Sequence, residues 1–177
     1  MEEIAPKAKA ILKKNKILVY SEDDIKEFSL RGYGDLQDGV LTLTFYETLY
    51  LLGKKIVKIE DINNGEIDFQ NLLKIFQSVD ENAWVKYLIY RDLRSRGYVV
   101  REGFGLGIDF RVYKRGEYGK ETAKYLIFGI QEGRPVSMEE LSQTLRYAQS
   151  LKKKLILAVL NRRGEVVYYS LSQLTLK

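Results

Sequence analysis

Residues 91–113 read Arg91-Asp92-Leu93-Arg94-Ser95-Arg96-Gly97-Tyr98-Val99-Val100, continue through Gly103, Gly105 and Gly107, and end in Asp109-Phe110-Arg111-Val112-Tyr113. A helix carrying Trp84, Tyr87 and Leu88 reaches into this stretch and stops at Gly97, since glycine is the usual residue just past a helix end. Tyr98-Val99-Val100 and Phe110–Tyr113 are runs of β-branched and aromatic residues and read as strands. The glycines between them lead from strand to strand. A nucleotide-binding glycine loop leads from strand to helix, so that fingerprint is not supported.

Outward from this stretch the pattern continues in both directions. Downstream, Tyr125-Leu126-Ile127-Phe128 predicts a buried strand, and Ser137-Met138-Glu139-Glu140 a capping box that opens a helix with Met138, Leu141, Leu145 and Ala148 on its apolar face. Leu155–Leu160 reads as a central strand, Asn161-Arg162-Arg163-Gly164 as a hairpin-like turn, and Val166-Val167-Tyr168-Tyr169 as the last strand. Upstream, Lys16 to Tyr20 is a short strand ending at the polar Ser21-Glu22-Asp23-Asp24, and Gly32 and Gly34 punctuate a loop. Leu43 to Leu52 predicts a helix capped by Gly53, and Lys55 to Glu60 a strand. Asp68 is the expected N-cap of a helix with Phe69, Leu72, Leu73 and Phe76 on one face. The fold class is α+β: a small α/β N-terminal domain over 1–80 and, over 81–177, a mixed sheet flanked by helices.

Composition narrows the chemistry. The 177 residues include no cysteine, which excludes disulfides, thiolate nucleophiles and cysteine-ligated metals. They include no histidine, which removes the commonest metal ligand and the side chain that titrates nearest neutrality. Acid–base chemistry would fall to Tyr, Lys, Asp or Glu. A formal net charge of +5 fits a polyanionic partner and is equally ordinary for a soluble protein. No apolar run approaches the length of a membrane span, and the N-terminus lacks signal architecture, so a cytoplasmic location is the default expectation. Thirteen tyrosines with abundant Ile, Lys and Glu suggest a thermophile.

The order and spacing of these segments resemble the tRNA-intron (tRNA-splicing) endonucleases of archaea. The resemblance covers about residues 15–171. Its pieces are a helix ending in Leu93-Arg94-Ser95-Arg96-Gly97-Tyr98, a glycine-rich turn, and Asp109-Phe110-Arg111-Val112-Tyr113. Beyond these come Glu121-Thr122-Ala123-Lys124-Tyr125-Leu126, Arg146-Tyr147-Ala148-Gln149-Ser150-Leu151-Lys152-Lys153, and Gly164-Glu165-Val166-Val167-Tyr168-Tyr169. In the N-terminal part, Gly32-Tyr33-Gly34-Asp35 and Glu47–Leu52 are also similar to the family. No piece is specific alone; their succession is.

The resemblance implies a restriction-endonuclease-like catalytic domain and metal-free, cofactor-free cleavage of precursor tRNA at a bulge–helix–bulge. A tyrosine takes the proton of the 2′-OH, a lysine stabilises the charge on the phosphorane, and a histidine protonates the leaving 5′-oxygen. The products are a 2′,3′-cyclic phosphate and a 5′-OH. Tyr113 matches the tyrosine and Lys153 the lysine, with Lys152 as the off-by-one alternative. Thr122 stands where the histidine belongs. The expectation is therefore a vestigial site in a structural subunit, assembled with a histidine-bearing catalytic paralogue as a dimer or tetramer. Arg146 matches an arginine that clamps a bulge base, where a planar guanidinium can stack. Glu165 matches an acidic residue that enters a basic pocket of the opposite subunit, although Arg162 and Arg163 depart from the acidic character there. Val166, Val167, Tyr168, Tyr169 and Leu171 suit a last strand that pairs with a neighbouring subunit.

Blander readings stand beside these. Tyr113 by itself is a packing residue at a strand end, Lys152–Lys154 a solvated helix end favoured by the macrodipole, and Arg91, Arg94 and Arg96 an exposed helix face open to RNA. Two other functions remain: a homomeric endonuclease working with Tyr113 and Lys153 alone, and an RNA-binding module without cleavage. A metal-dependent nuclease ranks behind both, because Asp109 stands without a neighbouring carboxylate in its strand.

Overall fold

A computed structural model of the protein describes residues 8–176. The chain divides into two compact units, with the boundary between Tyr87 and Leu88.

The first unit is built on a five-stranded sheet. Strands β1 (Ala8–Lys13) and β2 (Lys16–Val19) form a hairpin. Its two turn residues, Lys14 and Asn15, both have positive φ, the geometry that matches the strand twist. Helix α1 (Glu22–Leu30) follows, then a second hairpin of β3 (Asp35–Gln37) and β4 (Val40–Leu43). Helix α2 (Phe45–Gly53), strand β5 (Val57–Glu60) and helix α3 (Phe69–Val79) complete the unit. The sheet order is β3-β4-β2-β1-β5, with β5 parallel to β1 and the other pairs antiparallel. Asp68 caps α3 through the Asn71 amide at 2.8 Å, as expected from sequence. The strand ends before the polar Ser21–Asp24 as expected, and that stretch also opens α1, a helix not expected from the sequence: Ser21 caps it, and Glu22, Asp23 and Asp24 fill its first turn, where the helix dipole favours carboxylates. The segment read as a loop at Gly32 and Gly34 leads directly into β3.

Glu47 in α2 is a buried carboxylate with structural work. One oxygen accepts the Thr44 amide at 2.9 Å, closing the capping box, and the other accepts the Gly34 amide at 3.2 Å. A single side chain thus ties the start of α2 to the entrance of β3.

Helix α4 (Ala83–Ser95) runs across the boundary. The second unit continues with β6 (Val99–Gly105), β7 (Ile108–Tyr113), β8 (Tyr125–Gln131), α5 (Met138–Ser150), β9 (Lys154–Leu160) and β10 (Val166–Leu171). The sheet order is β10-β9-β8-β7-β6; β8 and β9 are parallel and the rest antiparallel. This is the mixed sheet expected from the sequence. Alternation along β8 divides the core. Leu126 and Phe128 join Ile108, Leu155 and Ala148 in a cluster beneath α5. Ile127 lies on the other side, sharing a small cavity with Leu93 of α4, Val112 and Ile156.

The glycine-broken stretch belongs to the β6–β7 hairpin. Its turn is held by Leu106 and Gly107 at positive φ, with a bulge between Glu102 and Gly105. A Cβ at Gly103 would fall 2.0 Å from the Ile108 carbonyl oxygen, so no other residue fits there. Thr144 of α5 donates to the Leu106 carbonyl at 2.8 Å and fastens the helix over this turn.

Candidate active site

The sheet wiring brings three sequence-distant positions to one end. Because β7 and β8 are antiparallel while β8 and β9 are parallel, the last residue of β7 and the first residues of β8 and β9 lie side by side. The Lys124 amide donates to Val112 at 3.0 Å and the Lys154 amide to Lys124 at 3.2 Å. Tyr113, Thr122 and Lys153 all sit at this edge.

Lys153 arrives there through the end of α5. The helix closes at Leu151, Lys152 takes a left-handed φ of 55°, and the Lys153 amide donates to Ala148 at 3.0 Å. This turn leaves Lys152 exposed and directs Lys153 inward, where its ammonium donates in a short hydrogen bond to the carbonyl of Ala123, the neighbour of Thr122. Of the two lysines left open by the sequence, it is Lys153 that reaches the 122–124 segment. Tyr113 is half-buried, its ring edge-on to Tyr118 at 5.1 Å between centroids. Thr122 is exposed and precedes β8.

Sequence reasoning missed the company these residues keep. Lys114 follows the last residue of β7 and Lys124 precedes β8, so the antiparallel pairing of the two strands brings these lysines near one another. The proximity of Lys114 pulls Lys124 below the ordinary lysine value. The signal was present as lysines flanking both motifs, but only the strand pairing brings them near.

Arg146 stands apart from this edge. It is exposed on α5 and lines a groove of about 430 Å³ with Met138, Leu141, Leu145 and Leu171. Arg94 and Arg96, read as an open cationic face, are engaged within the unit. Arg94 donates to the Tyr90 hydroxyl at 3.1 Å, and Arg96 pairs with Asp92 at 2.7 Å. Asp109 accepts the Gly129 amide at 2.7 Å, and among the described residues no three acidic side chains gather as a metal site.

At the far edge, among the described residues, β10 pairs with β9 alone. Val167 and Tyr169 are 41% and 55% exposed, while Leu171 packs on the α5 cluster. Tyr168 points to the opposite face, where its hydroxyl donates to Asp92 and its ring lies under the Arg96 guanidinium. Burial, then the bond to Asp92, pushes the Tyr168 phenol well above its usual range. Glu165 is exposed in the turn before β10, and its carboxylate accepts from the Asn161 side chain at 2.9 Å.

Both units match the same family. Residues 8–73 match the profile described as tRNA intron endonuclease, N-terminal domain, and residues 83–168 the profile described as tRNA intron endonuclease, catalytic C-terminal domain. The chain belongs to the tRNA intron endonuclease family. Among the relatives of this family member, the tRNA-splicing endonuclease of Methanococcus maripaludis is 36% identical over 167 residues, covering 94% of each chain. That of Pyrococcus furiosus is 36% identical over 154 residues, covering 85% of this chain and 88% of the relative. The family's catalytic profile spans α4 through β10, so the sheet end carrying Tyr113, Thr122 and Lys153 lies wholly inside it. Among the described residues no helix is long and apolar enough to cross a membrane.

Proposed function

We propose that this chain is a subunit of a tRNA-splicing endonuclease acting on precursor tRNA, and that its role is to assemble and position a histidine-bearing paralogue that cuts. The observation that carries this reading is the segment gripped by Lys153. Lys153 donates to the carbonyl of Ala123, next to Thr122, at the end of the sheet where β7 finishes in Tyr113, in a chain with no histidine.

The chemistry explains why that substitution matters. Attack of a 2′-oxygen on the adjacent phosphate forms one P–O bond and breaks another. In this reading Tyr113 takes the proton of the 2′-OH, and Lys153 supplies the cation that faces the phosphorane charge. The 5′-oxygen leaves as an alkoxide unless it is protonated. A threonine hydroxyl is far too weak an acid for this near neutrality, and loss of general-acid catalysis typically costs about 10²–10⁴-fold. On this reading two of the three functions have a residue to perform them and the third has none.

Assembly supplies the rest of the reading. β10 leaves one edge open, with Val167 and Tyr169 exposed beside it, and Glu165 projects from the preceding turn. These features suit pairing with another subunit through β10 and insertion of Glu165 into a basic pocket, giving a dimer or heterotetramer. Arg146 suits stacking on an unpaired base.

The test is cleavage of an intron-containing precursor tRNA in EDTA by the purified chain, alone and mixed with a histidine-bearing paralogue. Cleavage confined to the mixture is expected. Efficient cleavage by the chain alone would favour the homomeric reading that uses only Tyr113 and Lys153.

A further inference from the structure

The first unit carries a feature that the cleavage scheme does not use. Strands β1 and β2 meet in the turn Lys13-Lys14-Asn15-Lys16, every residue of which is exposed. β5 pairs with β1 only as far as Ile11, and β4 pairs with β2 only from Ile17. Residues 12–16 therefore project past both neighbouring strands, on a hairpin that the sheet holds from either side.

The ammonium groups at this tip are crowded at a cost. Lys13 and Lys16 are direct cross-strand partners, an arrangement in which like charges repel. Lys14 has a φ of 46°, a left-handed conformation that asparagine and glycine adopt more readily than lysine. Among the described residues Lys13, Lys14 and Lys16 have no ion pair, whereas Lys9, Lys58 and Lys86 of the same unit each have one. The carboxylates at this end of the sheet are bound elsewhere. Glu60, opposite Ile11, is held by Lys9 and Lys58, Asp61 accepts the amides of Asn63 and Gly65, and Glu47 accepts those of Thr44 and Gly34. Asp35 stands on β3, two strands away from β2. The acidic first turn of α1 and Asp38 lie at the opposite end, beyond Val19 and Val40.

We propose that the β1–β2 tip is a contact for the phosphate backbone of RNA, made by Lys13, Lys14 and Lys16. Phosphates relieve the repulsion that the bare tip retains, and lysine meets them as a point charge that needs no fixed approach geometry. Such a contact positions RNA without reading its sequence. The turn has no apolar or aromatic residue to insert among acyl chains, which sets it apart from a membrane-binding surface. It belongs to the unit that matches the N-terminal profile, and Tyr113, Thr122 and Lys153 belong to the other. The polyanion class rests on the tip itself; the identity of the RNA rests on the function proposed above.

Two measurements separate these. In the first, the full chain carrying 13C-labelled lysine is titrated with a duplex RNA and, separately, with vesicles containing phosphatidylglycerol, and followed by NMR. Saturable shifts at Lys13, Lys14 and Lys16 are expected with RNA, larger than those at Lys26 and Lys74, exposed lysines elsewhere in the unit. Equal shifts at all these lysines would mean undirected attraction, and a response to vesicles alone would mean a membrane surface. Either result overturns the contact, as does the absence of saturation with RNA.

In the second, the chain and a histidine-bearing partner bind an intron-containing precursor tRNA made uncleavable by 2′-deoxy sugars at the scission sites, across a range of KCl concentrations. In Lys13→Gln/Lys14→Gln/Lys16→Gln the slope of log affinity against log salt should fall by about 2.1–2.7, the contribution of three phosphate-facing charges. Lys13→Arg/Lys14→Arg/Lys16→Arg should keep the slope. The urea midpoint of the glutamine variant should not fall, since a cross-strand repulsion is lost; a lower midpoint would show that the tip charges serve folding and would count against the proposal. An unchanged slope overturns the assignment to precursor tRNA. If the unaltered assembly fails to bind this RNA, the proposed function fails, and the duplex titration alone decides the contact.

Discussion

The Tyr168 hydroxyl donates to the Asp92 carboxylate at 2.7 Å, joining β10 to α4 across 76 positions of sequence. The same carboxylate holds Arg96, whose guanidinium lies over the Tyr168 ring. The outermost strand of the sheet is therefore anchored to a helix on its inner face while its outer edge remains open.

Removing that anchor has an alkaline signature. The folded Tyr168 phenol titrates above its unfolded value of about 10, so its contribution to stability is whole below that pH and drains away as pH rises further. Tyr168→Phe should cost about 1 kcal/mol at neutral pH. Urea midpoints measured from neutrality to strongly alkaline pH should fall less steeply above about pH 10 in the variant than in the unaltered chain. Equal slopes would show that the hydroxyl is not protected as described.

The buried Glu47 makes a second stability prediction. Glu47→Ala leaves the amides of Gly34 and Thr44 without their acceptor and should destabilise the first unit by about 1–3 kcal/mol. Amide hydrogen exchange should show the loss concentrated at the start of α2 and the entrance to β3. Uniform exchange through the unit would mean that the carboxylate is not a local tie.

Placing an acid at position 122 is the direct test of the proposal that the site is vestigial. Thr122→His places an imidazole on the segment that Lys153 grips. It should raise precursor-tRNA cleavage by this chain alone about 10²–10⁴-fold, with a rate that declines as the imidazole loses its proton above about pH 6.5. Lys153→Ala in the same background should abolish the gain. No gain from histidine, with the fold intact, would mean that Tyr113 or Lys153 no longer stands in reacting geometry.

The second unit was largely legible from sequence because its signals are local. Gly97 ends a helix, Ser137 opens one, and Leu155–Leu160 is too apolar to lie anywhere but in a core. The first unit was less so. Ser21–Asp24 combines a cap with an acidic first turn; its polarity marks the end of β2 correctly but does not by itself announce the helix that follows. Asp35–Gln37 is an exposed three-residue strand with no alternation to betray it. At the sheet end, Tyr113, Thr122 and Lys153 were picked out by motif order, but the arrival of Lys153 at the start of β8 depends on a parallel β8–β9 pairing that no local pattern encodes. The inward turn of Tyr168 likewise follows from strand register, which a run of four apolar and aromatic residues leaves ambiguous.

Thr122 lies outside both flanking strands and contributes nothing to the apolar clusters on either face of the sheet. An exchange at that position is nearly invisible to folding, whereas any change at its neighbour Ala123, or at Leu126 three residues further on, would be felt throughout the core. On the function proposed above, selection can therefore switch the chemistry of this scaffold on or off by one codon without rebuilding it. Two copies arising by duplication could divide the labour of holding and cutting while remaining interchangeable in shape.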